Sequence, residues 1–260
     1  MIEHYARTVK GSGPGLLLAH GGGGGIEPNF GPLMADLTRT HTVVAPDLPG
    51  TGGTPRSAGP LDLDAVADSL VAAAVEEGVE EFTILGYSLG TAIAVRAAAR
   101  HPGRVTGLVL TAGFARIDNR TRLNVDVWRS LLDGDRDTLA RFNLSVAFGA
   151  PALEALSPGE LEEAVRAAAG SVPAGTPEHV DLVARADTRA DLPGIAVPTL
   201  VVTTALDRLV SPELSRALAA GIPGAESVEI DSGHLIAAEA PREWGGAVRG
   251  FLDRRAPVRG

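Results

Sequence analysis

Phe82-Thr83-Ile84-Leu85-Gly86-Tyr87-Ser88-Leu89-Gly90, followed by the alanine-rich stretch Thr91 to Arg100, decides how this chain is read. A β-branched apolar run enters the segment and a helical pattern leaves it, so the serine lies on a strand-turn-helix junction. A sharp turn of this kind strains its central residue and leaves no space for a Cβ two positions to either side. Gly86 and Gly90 meet that demand, which makes Ser88 a candidate nucleophile.

Working outward, short apolar runs alternate with amphipathic stretches, which specifies an α/β fold with a mainly parallel sheet covered by helices on both faces. Strands are expected at 15–20, 42–46, 82–87, 105–111, 199–204 and 227–230, with a further N-terminal strand near 5–9. Helices are expected at 64–77, 89–100, 212–220 and 241–254. Gly78 and His101-Pro102 close two of these helices, and Ser211-Pro212 offers an N-cap with proline at the first helical position. Between Phe114 and Leu192 the alternation stops and the composition turns helical, most clearly at 127–132, 137–148 and 158–169. That length exceeds a loop. It reads as a helical cap (residues 114–192) inserted into a core built from residues 1–113 and 193–260.

Serine hydroxyl needs a base, and the base needs an orienting acid. Among six histidines, His234 follows the last expected strand in Asp231-Ser232-Gly233-His234, at the sheet edge where ligands of open α/β sheets gather. His101 and His41 sit at element ends with local roles, and His179 falls in the insertion. Asp207 lies just after strand 199–204, whereas Asp231 is too close to His234 in the same turn to reach its far ring nitrogen. The chain order is therefore Ser88, Asp207, His234, each at a strand end. Oxyanion donors are sought in backbone amides: the N–H of Leu89, at the positive end of the helix after the nucleophile, and an N–H in His20-Gly21-Gly22-Gly23-Gly24-Gly25, with Gly22 chosen and Gly23 as the alternative. Gly23, Tyr87, Phe114 and Trp128 are the candidate substrate contacts, against the plainer reading of Phe114 and Trp128, with Phe142 and Phe148, as core of the insertion.

Composition narrows the reaction. A formal charge of -9 opposes nucleic acid and anionic membrane as partners. There is no cysteine, which removes thiol nucleophiles and thiolate metal sites, and Lys10 is the only lysine, in an exposed-looking turn unsuited to Schiff-base chemistry. No apolar window reaches membrane-spanning length and the N-terminus lacks a signal-peptide pattern, so a cytoplasmic location is expected. No phosphate loop, dinucleotide fingerprint or metal-ligand spacing is present, so no cofactor and no metal are expected. The expected partner is a small-molecule substrate, with a homodimer left open. Arginines 116, 120, 122, 129, 136 and 141 in the insertion offer contacts to an anionic substrate, against the plainer reading of solvated helix faces.

The ordered set resembles the α/β-hydrolase superfamily over nearly the whole chain apart from the insertion. The matching residues are His20-Gly21 after a strand, Asp47-Leu48-Pro49-Gly50-Thr51-Gly52-Gly53-Thr54 after the next, the Ser88 turn, Asp207, and Gly233-His234 followed by Glu239-Ala240-Pro241. The resemblance implies a catalytic role for Ser88, Asp207 and His234 and a cap that shapes the substrate pocket. Serine rather than aspartate at the turn sets the chain apart from the epoxide hydrolases and haloalkane dehalogenases of that superfamily. It points to acyl transfer, hence hydrolysis of an ester, thioester or lactone of a small molecule. Two other functions fit the same fold: carbon-carbon bond hydrolysis or cofactor-free cyclisation or decarboxylation, and non-catalytic small-molecule binding.

Overall fold

The computed structural model describes residues 4–254. Residues 1–3 and 255–260, the outermost parts of the expected core segments, lie outside it. Along the chain come β1 (Arg7–Lys10), β2 (Gly15–Ala19), α1 (Ile26–Leu37), β3 (Thr42–Pro46), α2 (Leu63–Glu76), β4 (Phe82–Tyr87), α3 (Leu89–Arg100) and β5 (Val105–Thr111). Five helices follow: α4 (Asn119–Leu131), α5 (Arg136–Ala147), α6 (Ala150–Glu154), α7 (Pro158–Gly170) and α8 (Thr176–Arg185). The chain ends with β6 (Thr199–Thr204), α9 (Pro212–Gly221), β7 (Glu226–Ile230), α10 (Ile236–Glu239) and α11 (Pro241–Asp253).

The strands form one sheet in the order β1-β3-β2-β4-β5-β6-β7, with β1 antiparallel to β3 and the other described pairs parallel. A parallel sheet is buried on both faces, so its strands are apolar at successive positions and the pleat divides the side chains between two cores. Leu17, Ile84 and Leu108 pack with Leu70 of α2 and Ile93 of α3. Leu16, Leu85, Tyr87 and Val109 point the other way, onto Phe30 of α1 and Trp244 and Phe251 of α11.

Observed boundaries fall within one or two residues of the expected ones, which is the ordinary uncertainty of helix and strand ends. The leading strand lies at Arg7–Lys10 rather than 5–9, and Tyr5 is buried in the core just ahead of it. Ser211 occupies the N-cap position of α9, but its hydroxyl donates to Glu213 Oε2 at 2.6 Å instead of receiving a backbone N–H. The short α6 and α10, and α8, are additional to the expected set, and so is the whole of α1. Pro28, Gly31 and Pro32 obscure it, yet Pro28 lies in the first turn, where an N–H has no helical partner in any case. α4 also starts well before residue 127, because Asp118 caps it by accepting from the Thr121 N–H at 2.7 Å.

The turn between β4 and α3 is the tightest point of the core. A Cβ at Gly86 would lie 2.6 Å from the Gly90 carbonyl oxygen, and one at Gly90 would lie 1.8 Å from the carbonyl oxygen of Ala19 in β2. α3 therefore rests directly on the backbone of β2. Gly90→Ala should destabilise the protein by about 3 kcal/mol or more, as over-packing against fixed backbone does. Gly103→Ala, where an added Cβ meets nothing within 4 Å, should shift stability by no more than about 0.5 kcal/mol. Urea unfolding of the two variants beside the wild type checks the contrast.

Candidate active site

Ser88 adopts φ 53° and ψ -119°, a left-handed backbone on a non-glycine residue, and caps the start of α3. The Ser88 N–H donates to Thr111 O at 2.9 Å and its carbonyl accepts from the Thr91 hydroxyl at 2.7 Å. These bonds fix the turn from both sides. The side chain emerges at the carboxyl end of the sheet, where the loops after β6 and β7 bring the other two residues to it.

Ser88 Oγ lies 3.0 Å from His234 Nε2, and His234 Nδ1 lies 2.6 Å from Asp207 Oδ2. A carboxylate oxygen only accepts, so Nδ1 is the protonated nitrogen and Nε2 accepts the serine hydroxyl. Asp207 is held in turn: Oδ2 accepts from the Thr204 hydroxyl at 2.9 Å, and Oδ1 accepts from the N–H groups of Leu209 and Val210, each at 2.9 Å. Ser88, Asp207 and His234 are all buried. Asp231, by contrast, is exposed. Three of the other histidines are elsewhere: His101 pairs with Asp68, His41 with Thr40 and His4 with Glu76.

Tyr87 is not a wall of the site. Its hydroxyl donates to the His234 carbonyl, its ring packs among Phe30, Trp244 and His234, and burial drives its pKa well above the usual phenol value, so it remains a donor. Phe114 is also core, fully buried with its N–H on Thr91 Oγ1. Both side chains were expected against substrate; each instead fills the packing beneath the turn. Glu239 supports the histidine loop from outside, with Oε2 accepting from Gly233 N at 2.9 Å and from Gly149 N at 3.0 Å.

The glycine loop after β2 is organised by side chains that sequence reasoning missed. Gly21 N donates to Asn29 Oδ1 of α1 at 2.8 Å, and Gly24 N donates to Gly21 O at 3.4 Å. Gly23, at φ 67°, donates its N–H to Nδ1 of His179 at 3.2 Å, while Nε2 of the same ring donates to Pro49 O at 3.0 Å. Gly23 is thus committed. Among the described residues the N–H groups of Gly22 and Leu89 carry no intramolecular hydrogen bond; Leu89 follows Ser88 in the chain, and Gly22 packs against the Leu89 side chain and lines the same cavity as Ser88. The signal for Asn29 was available: two parallel strands, β2 and β3, demand a crossover helix between them.

A cavity of about 230 Å³ opens onto Ser88 and His234. Its walls come from the glycine loop (Gly22, Gly23, Gly24), from α4 (Thr121, Val125, Trp128), from α5 (Asn143, Leu144) and from the Leu209-Val210 segment. Gly23 and Trp128, two of the candidate substrate contacts, are among the lining residues. Among the described residues no Asp, Glu, Lys or Arg does so, and the arginines of the insertion face elsewhere: Arg122 bonds Ala184 O, Arg129 pairs with Asp181 and Arg141 with Glu162. No cluster of three or more His, Cys, Asp or Glu side chains suited to a metal occurs among the described residues, and no helix there is long and apolar enough to cross a membrane.

The family profile of the alpha/beta hydrolase fold matches residues 14–241, and the chain belongs to that family. It is 32% identical over 246 residues to pyrrolizixenacetamide deacetylase of Xenorhabdus hominickii, spanning 94% of this chain and 92% of the relative. It is 33% identical to a pimeloyl-[acyl-carrier protein] methyl ester esterase of Neisseria meningitidis serogroup C, over 87% of this chain and 86% of that one. Among solved structures, the enol-lactonase from Burkholderia xenovorans LB400 superposes with a TM-score of 0.83 at 25% identity, covering 95% and 96% of the two chains.

Two buried histidines make this region acid-sensitive. His20 donates from Nδ1 to Gly21 O and accepts the Leu48 N–H at Nε2; burial lowers its pKa to about 4. Burial, then the nearby His20 ring, lowers His179 to about 4 as well. A ring whose folded pKa lies below its unfolded value of 6.5 contributes stability that is whole above pH 6.5 and drains away as the pH falls toward 4. Between pH 7 and pH 5, above the main range of carboxylate titration, unfolding free energy should fall by about 2 kcal/mol per ring. His179→Asn, measured by urea unfolding across the same range, should lose part of that slope. A flat profile in the wild type would mean that the rings are not held neutral.

Proposed function

We propose that this chain is a serine hydrolase that cleaves an ester, thioester or lactone of a small uncharged molecule through an acyl-enzyme at Ser88. The observation that carries the reading is the unbroken relay from Ser88 Oγ to His234 Nε2 at 3.0 Å and from His234 Nδ1 to Asp207 Oδ2 at 2.6 Å. The hydrolase names of its relatives agree with it.

In this reading Ser88 Oγ attacks the scissile carbonyl carbon while its proton passes to His234 Nε2. The carbonyl oxygen becomes an oxyanion, received by the N–H groups of Gly22 and Leu89. The tetrahedral species collapses by breaking the bond to the leaving oxygen or sulfur, which takes the proton from His234. Water then enters, gives a proton to the same nitrogen and attacks the acyl carbon; the bond from that carbon to Ser88 Oγ breaks, Oγ takes the proton back from His234, and the acid leaves. Asp207 stays ionised, holds the imidazole in the required tautomer and stabilises the imidazolium that forms at each step. Residues 114–192 act as the cap, with α4 and α5 closing the acyl space and α8 holding the glycine loop through His179. A cytoplasmic location belongs to the same proposal.

A small fluorophosphonate should label wild-type protein once per chain, and peptide mapping should find the adduct on Ser88. Ser88→Ala and His234→Ala should not label. Asp207→Asn should keep the fold and lower kcat on the order of a thousandfold or more, the consequence of the wrong imidazole tautomer. Labelling at another residue, or full activity in Ser88→Ala, would sink the assignment.

A further inference from the structure

α4 presents Thr121, Val125 and Trp128 to the cavity at i, i+4 and i+7, one stripe on one helix face. The middle residue is apolar, and the two outer ones each carry a polar atom without a protein partner. Thr121 is 1% exposed, and its hydroxyl forms no hydrogen bond, not even the back-bond to a carbonyl one turn earlier that a helical threonine readily makes. Trp128 Nε1 is likewise buried with no acceptor among the described residues. The six-membered ring of Trp128 sits over Gly23, where an added Cβ would meet Cζ2 at 2.8 Å, so the indole edge that carries Nε1 lies beside the glycine loop.

Unpaired buried donors are uncommon because each forfeits the hydrogen bond it made to water in the unfolded chain. Two of them on one stripe, both in the wall that faces Ser88 and His234, mark a surface shaped for a polar group brought in by the ligand. The indole N–H can only donate, and the threonine hydroxyl can donate as well, so the complementary group is an acceptor. Among the described residues no charged side chain lines the cavity, so that acceptor belongs to a neutral group rather than to a carboxylate or phosphate. Val125, Leu144 and Val210 supply aliphatic surface to the same wall.

We propose that Thr121 and Trp128 form a substrate-reading subsite, and that the natural substrate is an uncharged acyl compound carrying a second acceptor oxygen, a carbonyl, ether or hydroxyl, apart from the carbonyl that Ser88 attacks. This rests on the acyl-transfer reading of the site. Discrimination of this kind is steep, because a ligand without the oxygen leaves both donors unmet inside a desolvated wall.

The test is a matched series: methyl hexanoate and its 3-oxo, 4-oxo and 5-oxo derivatives, with kcat/KM measured for wild type, Thr121→Val, Trp128→Phe and the double variant. The position-dependent preference for one keto ester over methyl hexanoate should be at least about tenfold in the wild type. It should shrink in each single variant and vanish in the double. Comparing ratios between proteins removes the intrinsic reactivity of each ester. Thr121→Val, which deletes an unpartnered hydroxyl and keeps the side-chain shape, should melt at the same temperature as the wild type or higher. A preference ratio that is the same in wild type and double variant would overturn the proposal, as would a lowered melting temperature in Thr121→Val with the ratio intact. Calorimetric titration of Ser88→Ala with the same esters separates the two levels. Tighter binding of one keto ester that disappears on adding Thr121→Val supports the subsite even if the wild type turns none of them over, an outcome that would defeat only the acyl-transfer reading.

Discussion

A serine backbone at φ 53° is held against the ordinary preference of an L-residue, at a cost on the order of 1 kcal/mol or more. The surrounding structure sets that conformation by geometry that leaves no alternative. Gly86 and Gly90 let β4 turn into α3 with backbone almost touching backbone, and Gly90 rests on the carbonyl of Ala19. The same close approach brings the start of α3 beside the end of β2. As a result the start of α3 and the glycine loop lie side by side, with the Leu89 side chain against Gly22. The placement of Ser88 and of the amides proposed to receive an oxyanion depends on this one contact between α3 and β2.

The helices between β5 and β6 matter to the site less as a cover than as a set of fixed partners. His179 of α8 ties Gly23 to Pro49, so the loop after β2 and the loop after β3 are locked to the same ring. Gly175 adds a bond from its N–H to Gly50 O at 3.0 Å. On the opposite side Leu235 N donates to Ala147 O at 3.2 Å, and Glu239 bridges Gly149 and Gly233. The loops bearing the candidate donors and the histidine are therefore both braced by the insertion. Pre-organisation of this kind is what electrostatic stabilisation of a tetrahedral species requires, since donors that must first reorganise lose much of their effect.

Much of this was legible in the sequence, for identifiable reasons. A doubly covered parallel sheet writes itself as successive apolar residues, so β2 to β6 were readable directly. The order Ser88, Asp207, His234 was readable because each follows a strand. What was not legible depended on contacts remote in sequence. α1 was hidden by Pro28 and Pro32, although the parallel pairing of β2 and β3 required a helix there. His179 was placed in the insertion, within reach of substrate but outside a rigid triad, and nothing in its local sequence tells that its two ring nitrogens meet Gly23 and Pro49. Tyr87 and Phe114, large and next to the site in sequence, pointed toward substrate; in three dimensions the pleat turns Tyr87 into the core on the α1 and α11 side, while Phe114 packs into the opposite one. The arginines of the insertion suggested an anionic ligand, yet three of them spend their charge or donors on Asp181, Glu162 and the Ala184 carbonyl.

The central claim is that Ser88 becomes acylated during turnover. Rapid quenching with acid after mixing with p-nitrophenyl acetate, followed by intact mass and peptide mapping, tests it most directly. The account predicts a burst of nitrophenolate close to one equivalent per chain and a single acetyl group on Ser88, both absent from Ser88→Ala. Steady turnover with no burst and no acetylated serine, when release of product is shown to be slow enough to see one, would contradict it.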